Sequence, residues 1–182
     1  MKKIILISGK AESGKNYVAE LITAGLIHRG YTVQSIAFGD YLKFICQKYL
    51  GWNGKKDKRG RTYLQYVGTD VCRGYDDMIF SSKVVEIIKL FGSKWDFVII
   101  PDLRFISELH DIESSFADVT TVRINRPGYE SNLTEKQKSN RSETELDNFD
   151  FDKVIINDIT LTDQVKNFVE ETINGLYEKD CQ

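Results

Sequence analysis

The sequence predicts an α/β fold in which a parallel β-sheet is covered by helices. Three observations carry that prediction. A short apolar run at residues 4–8 leads into the glycine-bearing stretch Gly9–Asn16 and then into a segment of helical period. A second strand pattern follows at 31–38, so strand, loop, helix and strand succeed one another as they do where parallel strands are joined by a covering helix. Further strand patterns at 95–100, 119–125 and 153–157 alternate with helical stretches and bring the expected total to five.

In chain order, ILIS leading to Gly9 reads as a buried strand. Between about 14 and 29, Val18, Leu21, Ile22, Gly25 and Leu26 recur at steps of three and four on one helical face, and Gly30 stops the helix. Residues 40–91 hold more helix than a crossover needs, with helices predicted near 40–50, 62–73 and 77–91 and a basic loop, GWNGKKDKRG, between the first two. The third strand ends at Pro101-Asp102, and a short helix is expected over 107–115. Residues 127–148 are polar and without strong period, the pattern of a surface lid. The last helix covers 161–176 and buries Val165, Phe168, Val169, Ile173 and Leu176.

The chain has 182 residues, 41% of them apolar and 29% charged, which suits one domain with a sizeable core. Twenty-five Lys and Arg against 27 Asp and Glu leave a net charge of −2, so no nucleic-acid or membrane partner is expected from charge. The basic cluster Lys48, Lys55, Lys56, Lys58, Arg59 and Arg61 holds only two interspersed aromatics, Tyr49 and Trp52, too few for a stacking track. Cys46, Cys72 and Cys181 lack CxxC spacing, and with His28 and His110 they make no structural zinc set. A reduced, cytoplasmic chain is the expectation. No run approaches the roughly 18 apolar residues of a membrane span, and the opening residues do not form a signal peptide.

The sharpest motif is Gly9-Lys10-Ala11-Glu12-Ser13-Gly14-Lys15-Asn16, which meets the GxxxxGK pattern between a predicted strand and helix. Such a loop wraps backbone N–H groups around β- and γ-phosphates, the helix N-terminus adds its dipole, and Lys15 brings a mobile positive charge. Asn16 stands where Ser or Thr usually offers a hydroxyl to magnesium. Its carboxamide oxygen could meet the ion directly or through water, or serve as a helix-start acceptor. Asp102, at the end of a strand, could face magnesium across the sheet edge or cap a neighbouring element. Arg104 lies two residues on, within reach of a phosphate. Asp40 could cap the next helix, orient an acceptor, or hold an arginine. Arg59, Arg61, Arg73, Arg123, Arg126 and Arg141 outline anion contacts, Arg126 and Arg141 bracketing the lid. The remaining cysteines, both histidines and most of Phe38, Phe44, Tyr63, Tyr66, Phe80 and Phe91 read as packing or surface residues, with a share in a nucleobase pocket open to the aromatics.

Six stretches, SGKAESGKN (8–16), FGDYLK (38–43), LQYVGTDVCR (64–73), PDLRFISEL (101–109), RINRPG (123–128) and SETELDNFDFDKVIIND (142–158), together resemble the bacteriophage-type deoxynucleoside monophosphate kinases, in order and over nearly the whole chain. That resemblance implies a three-layer P-loop kinase fold with strand order 2-3-1-4-5, an acceptor-binding insertion around 40–91 and a lid around 127–148. It implies transfer of the γ-phosphate of ATP, with Mg2+, to a (deoxy)nucleoside 5′-monophosphate. Gly9, Ser13, Gly14 and Lys15 then belong to the donor-phosphate loop. Asp40, Arg73, Asp102 and Arg104 fall at polar positions around acceptor and magnesium, Arg126 and Arg141 at lid or phosphate contacts, and Glu143 in the Ser-Glu-Thr motif of the acceptor site. The family often carries Asp at the position of Asn16. A homodimer is compatible with the sequence and is not specified by it.

Rival readings share the loop. A P-loop kinase for another small phosphorylated metabolite, such as phosphomevalonate or dephospho-coenzyme A, would use much of the same site. A non-catalytic ATP-binding regulator would keep the loop and transfer nothing. A GTPase is disfavoured by the lack of NKxD, and a motor ATPase by Leu103 after Asp102.

Overall fold

Ile4, Ile5, Leu6 and Ile7 are all fully buried, which only a central strand covered on both faces permits. They form β1 (Lys3–Ser8) of the computed structural model, which describes residues 1–180, with side chains through Tyr177. Cys181 lies outside the described residues. The order continues with α1 (Lys15–His28), β2 (Val33–Ser35), α2 (Phe38–Tyr49) and α3 (Lys58–Gln65). A π-helical turn over Tyr66–Cys72 leads into α4 (Arg73–Tyr75) and then α5 (Ser81–Phe91). After them come β3 (Phe97–Leu103), α6 (Ile106–Ser115), β4 (Val119–Asn125), α7 (Glu135–Lys138), α8 (Arg141–Thr144), β5 (Lys153–Ile156) and α9 (Leu161–Asp180).

The five strands pair in parallel in the order β2-β3-β1-β4-β5, as the resemblance implies. Alternation along β1 sends Ile5 and Ile7 to one face and Ile4 and Leu6 to the other. The first face packs on Val18, Ile22 and Leu26 of α1 and on Val165, Phe168, Val169 and Ile173 of α9. The second packs on Phe38 of α2, Val84, Val85 and Ile88 of α5, and Leu109 and Ile112 of α6. The result is a three-layer α/β sandwich. Because β1 is flanked by β3 on one side and β4 on the other, the strand order reverses at β1, and beside the C-terminal end of such a strand parallel sheets leave a crevice for ligands.

Several boundaries move. The second strand is three residues long, not eight, because only Val33, Gln34 and Ser35 find partners, on β3. The helix predicted from 40 begins at Phe38. The basic loop ends earlier than expected: Asp57 accepts the Gly60 N–H at 2.8 Å and starts α3 at Lys58. The helix predicted over 62–73 splits into α3 and the π-helical turn. The third strand runs on through Leu103, so Pro101 and Asp102 lie inside it. The polar segment 127–148 holds the short helices α7 and α8. No helix among the described residues is long and apolar enough to cross a membrane.

Candidate active site

The loop between β1 and α1 is built for close approach. Gly14 has φ 96°, and a Cβ there would collide with the Asn157 side-chain amide. Asn157, just past β5, donates from Nδ2 to the Ser13 carbonyl at 2.8 Å and so braces the loop from the far strand. Lys15, 8% exposed, donates from Nζ to the carbonyls of Gly9 and Lys10 at 2.8 and 2.7 Å. Burial pushes its ammonium down to about 7, with Arg104 adding repulsion and Glu143 and Asp102 pulling the other way. The buried Ser13 hydroxyl has no hydrogen-bond partner.

Asp102 and Asp40 share the start of α2. Asp102 reaches from β3 to accept the N–H groups of Phe38 and Gly39, each at 2.9 Å. A Cβ at residue 39 would stand 3.0 Å from its Oδ2, so glycine permits this approach. Asp40 accepts the Ala37 N–H at 3.3 Å and the Lys43 ammonium at 2.7 Å. Both carboxylates therefore satisfy helix-end donors, and both also line a cavity of about 580 Å³ together with Lys15, Asn16 and Arg104.

Magnesium prefers oxygen donors, takes one or two carboxylates, and draws the rest of its shell from phosphates and water. Asp102 and Asn16 face the same cavity, and each Asp102 oxygen keeps lone-pair capacity beyond its N–H bond. No cluster of three or more metal-ligating side chains occurs among the described residues. The donor set fits a magnesium ion held chiefly by a bound nucleotide.

Around this floor the arginines sort themselves. Arg104 ion-pairs with Glu143 at 2.7 Å and donates to the Ser142 carbonyl at 2.9 Å, while the other Glu143 oxygen accepts the Ala11 N–H at 2.8 Å. A carboxylate from the 127–148 segment thus touches the β1–α1 loop. Arg73 is pinned between the rings of Phe80 and Phe105, its guanidinium 4.6 and 4.0 Å from their centres. It pairs with Glu108, donates to the Gly68 carbonyl at 3.1 Å, and leaves its buried Nε unpartnered. Glu108 is 1% exposed, and burial pushes its carboxyl up to about 7 against the pull of Arg73 and of the Arg104 N–H. Arg126 packs 4.1 Å over the Tyr129 ring and donates to the Glu12 carbonyl.

Arg141 departs from expectation. It is bidentate to Asp77 at 3.0 and 3.1 Å, is held by Glu145, and lines neither cavity. Its geometry is that of a strut fastening α8 to the turn between α4 and α5. Arg123 likewise pairs with Asp147 and Ser8 and lines neither cavity.

A second cavity, of about 570 Å³, is lined by Lys10, Ser13, Asn125, Arg126 and Tyr129. It meets the first at Ala11, Leu133 and Glu143, which line both. Two clefts of nearly equal size therefore share the β1–α1 loop. Of the aromatics offered for a base pocket, Phe38 lines a cavity, whereas Phe44, Tyr63, Tyr66, Phe80 and Phe91 do not.

No protein-family model matches the chain, and no curated protein matches it. Solved structures do match over nearly its full length. An APS kinase from Mycobacterium tuberculosis, in complex with AMPPNP and APS, is similar at a TM-score of 0.52 and 13% identity, over 97% of this chain and 98% of that one. The chain has a P-loop-kinase fold. An unliganded sugar kinase from Janibacter sp. agrees at a TM-score of 0.52 and 9% identity, over 96% of this chain and 95% of the other.

Within that P-loop-kinase fold, three groups escaped the sequence. Glu108 stands in the sequence only within the stretch PDLRFISEL, with no role of its own. Lys56, noted in the sequence only as part of the basic cluster, lines the first cavity. Buried Gln137 of α7 donates to the Lys58 carbonyl and the Thr62 hydroxyl of α3 at 3.1 and 3.0 Å. The capping pair Thr134 and Gln137 was the signal for α7.

Proposed function

We propose that the chain transfers the γ-phosphate of ATP to a small phosphorylated metabolite, and that this acceptor is a (deoxy)nucleoside 5′-monophosphate. The observation that carries the reading is the pair of clefts meeting at the phosphate loop. One substrate enters each, and their reacting groups meet beside Lys15. The similar kinase structures support the general reaction, and the six sequence stretches support the nucleotide acceptor.

The nucleoside of ATP occupies the cleft of Arg126 and Tyr129, with its outer phosphates over the N–H groups of residues 9–16. Lys15 and Arg104 neutralise charge on the transferring group. An acceptor phosphate oxygen forms the new bond to the γ-phosphorus as the β–γ bridging bond breaks, releasing ADP. Asp102 and Asn16 would hold the magnesium ion, which when bound neutralises phosphate charge. Lys56 and Arg61 supply positive charge to an anionic acceptor. Residues 127–148, docked on α3, exclude water from the reacting phosphates.

The test is ADP release with product masses across deoxynucleoside and ribonucleoside monophosphates, phosphomevalonate, dephospho-coenzyme A and APS. A diphosphate product from a nucleoside monophosphate supports the proposal. Turnover with another phosphorylated acceptor alone removes the nucleotide assignment, and ATP hydrolysis indifferent to every acceptor removes transfer altogether. Asp102 capping α2 and Arg73 held by Glu108 favour one second reading, an ATP-binding protein that transfers nothing. Tight ATP binding without product would establish it.

A further inference from the structure

Glu12 is the only non-glycine among the described residues with a positive φ, at 64°. A side chain held in that left-handed region carries a strain that asparagine or glycine would largely avoid. Its carboxylate is fully engaged. Oε1 accepts from Arg61 Nη2 of α3 at 2.8 Å. Oε2 accepts from the Tyr129 hydroxyl and the Asn132 N–H, both at 3.1 Å. Those donors, led by the Asn132 N–H, hold its carboxyl below the usual range.

The two polar excursions of the chain thus converge on one acidic side chain at the tip of the phosphate loop. Neither is fixed there by packing alone, since Arg61, Tyr129 and Asn132 all keep solvent exposure.

We propose that Glu12 is a positioning residue whose carboxylate, bridging Arg61 to Tyr129 and Asn132, makes α3 and the 129–132 segment dock on the phosphate loop as one unit. Docking as a unit has a chemical consequence under the kinase reading, on which this part rests. The γ-phosphate is covered only when the acceptor side is also in place, so transfer to the acceptor outcompetes loss to water. Gln137 ties the 127–148 segment to Lys58 and Thr62 of α3, and Glu12 adds the link that runs through the phosphate loop itself.

Hydrogen–deuterium exchange tests the coupling without any assumption about substrate. In Arg61→Ala, which removes only the α3 side of the bridge, amides at 129–134 should exchange about tenfold faster, the loss of one charge-assisted hydrogen bond being passed across Glu12. Glu12→Gln and Glu12→Gly, the second relieving the backbone strain, should loosen 58–65 and 129–134 together. Tyr129→Phe, which deletes a single hydroxyl, guards against a misfolded variant and should loosen 58–65 in turn. Unchanged exchange at 129–134 in Arg61→Ala would overturn the proposal, because Glu12 would then carry nothing from one arm to the other.

The kinetic arm compares acceptor-independent ATP hydrolysis with transfer. In Glu12→Gln that ratio, read at saturating ATP so that a loosened Tyr129 cleft does not enter the comparison, should rise about tenfold. A ratio unchanged with both arms loosened would overturn the gating half. A wild-type protein that phosphorylates no acceptor would refute the kinase reading while leaving the exchange result decisive for the coupling.

Discussion

Lys15 carries the largest electrostatic strain of the site, because its ammonium is buried beside Arg104. Its pKa falls from the ordinary lysine value of 10.5 to about 7, so between those pH values the folded chain binds fewer protons at this group than the unfolded chain. Its contribution therefore lets stability rise with pH across that window, and the cost of charging it is fullest below about 7. An arriving polyphosphate reverses the balance. Nucleotide binding at pH 8 should take up a fraction of a proton, visible as a dependence of the calorimetric enthalpy on the ionisation enthalpy of the buffer. Lys15→Met should abolish both that uptake and phosphoryl transfer, with no fall in the thermal midpoint at pH 6. Glu108 presents the opposite case, an acid held inside by Arg73. Glu108→Ala strands that guanidinium between two rings and should lower unfolding free energy by about 3–5 kcal/mol in urea titrations. Lys15 was legible because its motif fixes its place on the backbone. Glu108 was not, because its burial depends on an arginine from another helix, and no local pattern in α6 records that partner.

At the scale of elements, the strands were readable because burial on both faces leaves nearly continuous apolar runs in β1 and β3. β2 was overread, since an apolar-rich stretch at a sheet edge continues only as far as its neighbour offers partners. The segment 127–148 was read correctly as polar and aperiodic, yet four-residue helices are too short to show a period, so α7 and α8 stayed hidden. Their docking is legible only in three dimensions, through Gln137, whose amide donates to Lys58 and Thr62 and accepts the Thr134 N–H at 3.0 Å. Gln137→Leu leaves those groups unpaired, at a local cost of about 1–3 kcal/mol. Amide exchange across 133–142 should accelerate, while the exchange of β1 and β3 amides should stay at the wild-type rate.

At the scale of the molecule, strand order sets where chemistry can occur. β1 ends between the crevices on its two sides, and the residues that follow β1, β3, β4 and β5 meet around its loop. The five-strand count came from the sequence, but the partners of each cleft did not, because cleft walls are assembled from segments far apart in the chain. If both clefts take a substrate at once, a bisubstrate analogue joining two nucleosides through their phosphates should raise the thermal midpoint by more than the shifts of ATP and a monophosphate summed. The apolar side of α1 is covered by α9, from the opposite end of the chain. On a ribosome, the helix that begins at Lys15 therefore waits with a bare oily flank until α9 too has been synthesised. Nascent fragments lacking α9 should be chaperone clients rather than early binders of nucleotide.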